Sequence, residues 1–304
     1  MPNMISVIIC TKNRLNDLKE TVSSLVKQSR LPEEMVIVDS SDKEDVYAYL
    51  ESIEIPFNWS YIHTAPGLTH QRNIGIEKSR GELIFFFDDD VDLESNYIDL
   101  IEKVFENDTH FAIGAVGGRI SNSQNIGGRA VLYRLKHFFF NILRSVFLQS
   151  DFGSGMFRYS GMPTHPHLLQ DGRHIECLSG CCMAFRRKVF ESARFDENLT
   201  GYAHMEDADI SRQVLDAGYK IYYEASAMLN HKVSPQDRLK IGQMAEMSIL
   251  NYAYLFRKHY HQNFLRKLAF YWTLSGFFLL YGHSSLGRHG VVSGLRRAFF
   301  EKES

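Results

Sequence analysis

ISVIICTKNR, residues 5–14, joins a β-branched apolar run to a polar loop, and a helical pattern from Asn16 to about Gln28 follows, with Leu18, Val22, Leu25 and Val26 on one face. The order strand, loop, helix then repeats. MVIVD (35–39) ends in SSD before a helix over Glu44 to Leu50, WSYIH (59–63) precedes a helix over Leu68 to Lys78, and ELIFFF (82–87) runs into Asp88, Asp89 and Asp90. Such alternation predicts an α/β protein with a mostly parallel sheet covered on both faces. Ligands of these sheets bind at the carboxyl ends of the strands, where Thr11, Asp39 and the triple aspartate all fall. TKNR replaces the glycine fingerprint of a dinucleotide fold, which disfavours hydride transfer.

The chain has 304 residues, 44% of them hydrophobic and 23% charged, the composition of a globular protein. A formal net charge of −2 hides an asymmetry: residues 1–229 hold 23 basic and 32 acidic side chains, residues 230–304 hold 11 and 4. A basic tail points to a polyanionic partner, nucleic acid or an anionic membrane. Its basic residues are interleaved with long aromatic and aliphatic runs, which favours the membrane, and a second subunit is the other candidate cover. The uncharged run Leu268 to Tyr281 has 14 residues, fewer than the roughly 20 that span a bilayer. Four cysteines make no disulfide framework in a chain of this length, and no secretory signal precedes the first strand, so a reducing cytoplasm is expected. The segment VLYRLKHFFFNILRSVFL sets Arg134, His137, Asn141 and Arg144 on a narrow face of a wide apolar helix, which fits either a core helix or a membrane-surface helix.

Three adjacent carboxylates after an apolar strand repel one another unless a cation or solvent relieves them, and oxygen ligands at a sheet edge suit Mg²⁺ or Mn²⁺ bridging a diphosphate. An aspartyl phosphotransferase would carry Thr or Val where Asp92 stands. A second acidic group, Glu206, Asp207 and Asp209, opens a helix expected to run to Ala217 and stop at Gly218. The helix macrodipole favours an ionised carboxylate there, as a general base needs. His231 lies just past a further strand.

In this order the segments SVIICTKNR, VIVDSSD, HQRNIGI, GELIFFFDDDV, LSGCCMAFRRKVFE, FDENLTGY and EDADISRQVLDAGYKI, closed by His231, span Ile5 to Pro235. Together they resemble the inverting family-2 glycosyltransferases of GT-A fold, in particular bacterial enzymes that build surface polysaccharides and resemble rhamnosyltransferases. The resemblance implies that Thr11, Arg14 and Asp39 hold the base and ribose of a UDP- or dTDP-linked sugar, and that Arg72 reaches its phosphates. Asp88 and Asp90 would be the outer carboxylates of the D-x-D motif, Asp90 binding Mn²⁺ or Mg²⁺ directly, with Asp89 beside them at the donor. Asp207 would be the catalytic base, Glu206 the lesser candidate, and His231 a further metal ligand. It also implies a donor-binding half (1–119) and an acceptor-binding half (120–235), to which the basic, aromatic composition of the tail adds a helical, membrane-associating extension (236–304). The acceptor would be a glycan or lipid-linked glycan at the inner face of the cell membrane, with no part for nucleic acid. A sugar nucleotidyltransferase should have a glycine-rich first loop, which CTKNR lacks. A catalytically silent scaffold would leave Asp39, Asp88, Asp90, Asp207 and His231 without a task.

Overall fold

A computed structural model describes residues 3–43, 45–121, 130–166, 169–232 and 239–300, with backbone alone for 130–137. Glu44 and Gln236, at the starts of two expected helices, and the side chains of Arg134 and His137 lie outside the described residues, as does the expected boundary at 235/236. Two compact units form, one from 1–124 with 169–236, the other from 125–168 with 237–304. As packing, therefore, residues 125–168 group with the C-terminal helices.

The first unit is a nine-stranded sheet. β1 (Ile5–Thr11), β2 (Glu34–Asp39), β3 (Asn58–His63) and β4 (Leu83–Asp88) pair in parallel, in the order β3-β2-β1-β4. The connecting helices α1 (Leu15–Leu25), α2 (Asp45–Glu51) and α3 (Leu68–Lys78) lie close to their expected limits. Antiparallel pairing sets in where the strand–helix alternation stops. β8 (Cys182–Arg186) runs against both β4 and β6 (Ile113–Ile120). β9 (Lys220–His231) is parallel to β6 and antiparallel to β5 (Val91–Leu93) and β7 (Arg173–Ile175). The whole sheet is mixed, with its parallel part confined to residues 5–88.

β1, β2 and β4 are buried on both faces, which is why they read as unbroken apolar runs, while β3, at the sheet edge, alternates exposed and half-buried residues. Ile5, Val7, Ile9, Phe85 and Phe87 join one core with α1 and α4 (Tyr97–Asn107), while Ile8, Val36, Ile84 and Phe86 join a second with α6 (Glu206–Asp216). Alternate residues go to opposite faces, as the pleat requires. Gly218, at φ 87°, ends α6 in a left-handed turn in which Tyr219 N donates to Val214 O.

The second unit contains α5 (Ala130–Val146), α7 (Ile241–His259), α8 (Phe264–Ser275), α9 (Phe277–Tyr281) and α10 (Ser285–Phe300). A Cβ on Gly290 would lie 2.1 Å from Gly242 O, so α10 rests directly on the backbone of α7. α5 exposes Phe138, Phe139, Leu143 and Val146, which removes the core-helix reading for its described side chains. No helix among the described residues is long and apolar enough to cross a membrane.

Candidate functional site

The register of the sheet assembles the site. Cys10 pairs with Asp88 and Thr11 with Asp39, so β1, β2 and β4 end level with one another. The chain turns at Asp89 and Asp90 and re-enters the sheet as β5, whose Val91 sits opposite His231. Lys232 N donates to Asp90 O at 2.9 Å, locking that pairing. Thr21 pins the turn from below: its hydroxyl donates to the carbonyls of Asp89 and Val91 and accepts from Val91 N.

His231 Nε2 lies 3.0 Å from Asp90 Oδ1 and 3.9 Å from Asp88 Oδ2. One ligand atom from each of the three falls within 4.8 Å of the others. A separation of 3.0 Å is what two neighbouring ligands on one octahedral ion at about 2.1 Å would have. The three residues thus fit a small divalent cation, with a nitrogen donor that tilts preference towards Mn²⁺. Burial favours the neutral His231 ring, but its hydrogen bond to Asp90 and its neighbours Cys181 and Asp88 outweigh this and hold its pKa up at about 11. Loading an ion would displace that proton.

Asp89 faces away from these ligands. It is buried, accepting from Thr11 Oγ1 at 2.7 Å and from Arg14 Nη1 at 3.2 Å. Burial pushes it up to about 7 against the pull of Thr11 and Arg14. Thr11 and Arg14, expected at the nucleoside, are here bound to this aspartate. Asp39 is fully buried, its Oδ1 taken by Ser41 and its Oδ2 by the Tyr61 hydroxyl at 3.0 Å.

Arg72 enters from α3 and is also buried. Its Nη1 meets Glu206 Oε2 at 2.5 Å, and its Nη2 lies 3.3 Å from Asp88 Oδ1 and 2.9 Å from Gly180 O. Burial opposes its charge, yet Glu206 and Asp88 raise its pKa further. Glu206 is therefore committed to this internal contact with Arg72, and burial pushes its carboxyl up to about 8 although Arg72 pulls the other way. Asp207, the next residue, is half-buried: Oδ2 accepts from Gly180 N at 3.1 Å and Oδ1 from Ala208 N at 2.8 Å. Met205, at φ 72°, holds the left-handed turn that separates the two carboxylates from the preceding loop. Asp209 turns inward to Gln213 Nε2. Five carboxylates, Asp88, Asp89, Asp90, Glu206 and Asp207, share this region with two guanidiniums and one imidazole, an excess of negative charge that a cation would relieve.

Sequence reading missed Thr21, Tyr61 and Gly180. Thr21 had a signal, a hydroxyl on the apolar face of α1 beside Leu18 and Val22. Gly180 had none short of its contacts. A Cβ there would lie 2.6 Å from Glu206 Oε1, a side chain fixed by Arg72. Gly180→Ala is expected to cost about 1–3 kcal/mol, measured by urea unfolding, because the added Cβ pushes on Glu206 and shifts the backbone N–H, which alanine keeps, that Asp207 accepts from.

Residues 6–194 match the profile of glycosyl transferase family 2. A glucosyl-dolichyl phosphate glucuronosyltransferase of Haloferax volcanii is 28% identical over 124 residues, 38% of this chain and 38% of that protein. Glycosyltransferase GlyA of Streptococcus pneumoniae is 24% identical over 234 residues, 75% of this chain and 30% of its own length. The chain spans between 15% and 68% of the length of the curated relatives it matches. The solved structure of the mannosyltransferase PcManGT from Pyrobaculum calidifontis, in complex with GDP-Man and Mn²⁺, matches with a TM-score of 0.57 at 14% identity, covering 100% of this chain and 89% of that one. With the profile covering well over half the sequence and the sheet topology already assigned, this chain belongs to glycosyl transferase family 2 and has the GT-A fold.

Proposed function

We propose that the protein transfers a sugar from a UDP- or dTDP-linked donor to an acceptor hydroxyl with inversion at the anomeric carbon. The observation that carries this reading is the meeting of Asp88, Asp90 and His231 in one ligand set, in the same unit as the half-buried Asp207. A Mn²⁺ or Mg²⁺ ion held by the first three would offset charge on the departing diphosphate. The mannosyltransferase with GDP-Man and Mn²⁺ supports that reading.

Asp207 removes the proton from the acceptor hydroxyl, and the oxygen attacks the anomeric carbon opposite the diphosphate. The Gly180 and Ala208 N–H groups aim its carboxylate. Asp39 accepts from the imide N–H of uracil or thymine in this reading, exchanging for it one of the bonds it now accepts from Ser41 and Tyr61. Arg14 and Thr11 fix Asp89 and so shape the loop that faces the ribose. Arg72 serves as the counter-charge that keeps Asp88 and Glu206 in place. Residues 1–119 supply the donor half, 120–235 the acceptor half, and the helices from 236 onward hold the protein at the inner face of a membrane, where a glycan or lipid-linked glycan is the acceptor.

A thermal-shift panel of UDP-, dTDP- and GDP-sugars with and without Mn²⁺ tests the donor and metal assignments. At a hundredfold excess over Kd, the right donor should raise Tm by roughly 5–10 °C, only when Mn²⁺ is present, and Asp90→Ala should abolish the rise. An equal rise without metal, or an unchanged one in Asp90→Ala, would overturn the metal site.

A further inference from the structure

A helix buried in a protein core is apolar on the face it buries; α8 is apolar on both faces. Phe270, Leu274 and Thr273 pack inward against α7 and α9, with Phe270 stacked on Phe256 at 4.1 Å. The outward face carries Phe264, Leu265, Leu268, Tyr271 and Trp272 at helical spacing, with Phe264 79%, Leu268 60% and Trp272 48% exposed. The surface continues onto α5, because Trp272 Nε1 donates to Val146 O and its ring stacks on Phe147 at 4.9 Å, next to the exposed Leu143 and Val146. Beside α8 a cavity of about 480 Å³ opens between Tyr271, Leu274, Phe278, Leu295, Phe299 and Phe300, with Ser275 its single hydroxyl other than that of Tyr271.

Charge selects the occupant. Residues 239–300 contain eight basic side chains and one acidic one, Glu246, which Arg297 already neutralises at 2.6 Å. Lys267 on α8 and Arg296 on α10 are exposed beside the apolar face. A second copy of the chain would bring the same excess of positive charge to a symmetric interface, which like-charge repulsion opposes. An anionic bilayer answers both features, taking apolar side chains into its acyl layer and basic ones at its phosphates.

We propose that α8, with the exposed end of α5, docks in the plane of an anionic phospholipid surface, a lipid acyl chain occupying the cavity between α8, α9 and α10. The proposal sharpens the membrane part of the function given above and does not depend on its chemistry. Its test therefore uses neither donor nor acceptor.

The full chain is sedimented with vesicles of phosphatidylcholine alone or with 30 mol per cent phosphatidylglycerol (about one anionic lipid in three, enough to mimic an anionic leaflet). Binding is expected to the anionic vesicles, falling as salt screens the phosphates, and brominated acyl chains are expected to quench Trp272, identified with Trp272→Phe. Leu268→Asp should weaken binding roughly tenfold or more, the loss of one buried apolar side chain. Lys267→Glu with Arg296→Glu should weaken it about twentyfold or more, at about fivefold for each basic residue removed from the surface. Both variants alter exposed positions and should keep the wild-type Tm. Equal binding to neutral and anionic vesicles, no binding, or variants that bind as wild type would overturn the proposal. So would a lipid-free dimer in sedimentation velocity that Leu268→Asp converts to monomer, since a second copy would then cover this face.

Discussion

Asp207→Asn should lower the transfer rate by roughly 10²–10⁴, the usual contribution of a general base, while leaving the Mn²⁺-dependent thermal shift by the donor unchanged. Asparagine keeps the volume, but its single amide oxygen can accept from only one of Gly180 N and Ala208 N, which bond to different oxygens of Asp207, so a small fall in Tm should accompany the loss of rate. What disappears is the proposed proton acceptor and one carboxylate. Glu206→Gln gives the contrast. Glu206 is buried against Arg72 and cannot reach an acceptor without breaking that pair, so its loss should appear first as instability. Single-turnover rates measured for both variants, alongside their melting curves, separate the two carboxylates. A wild-type rate in Asp207→Asn would remove it from the mechanism.

Arg72→Met should destabilise the protein by about 3–5 kcal/mol, because it leaves Glu206 and Asp88 facing each other in a buried site with no counter-charge. For a unit of this size that is a fall of roughly 10 °C in Tm. The Arg72 guanidinium also lies over the rings of Phe195 at 5.2 Å and Phe86 at 5.9 Å, contacts that methionine replaces only in part. Adding Glu206→Gln to Arg72→Met should recover a good part of the loss, since the stranded charge is then gone, and the resulting double-mutant cycle measures the coupling between the two residues. Strict additivity would show that the pair does not act as a unit.

The strand–helix alternation of residues 5–88 was legible because β1, β2 and β4 are buried on both faces and α1 packs one apolar face on them. Those two burial patterns leave different periods in the sequence, visible in ISVIIC against Leu18, Val22 and Leu25. The antiparallel strands were not legible in the same way. β5 and β7 have three residues each, too short for any period to appear, and β8 pairs with β4 over a sequence gap of about a hundred residues. At the site, Asp88, Asp90 and His231 could be singled out by type and order, but their convergence depends on Val91 pairing with His231, a long-range register that no local pattern encodes. The partners of Arg72 were hidden for a similar reason. QRNIG shows a cation on a helix, and only the fold reveals that its partners come from β4, the 178–182 loop and α6.

The helical unit is assembled from two stretches separated by residues 169–236, and its internal contacts cross that gap: Tyr252 to Ser160, Gln149 to Thr273, Trp272 to Val146. During synthesis, at 5–20 residues per second, the 150s would leave the ribosome roughly 5–20 s before the residues they pair with. The nine-stranded sheet, whose last strand ends at His231, has all its parts earlier. Newborn chains therefore carry Phe147 without Trp272, the ring it stacks on, for the whole of that interval, a period in which a chaperone or the membrane itself can act on the chain before those helices exist.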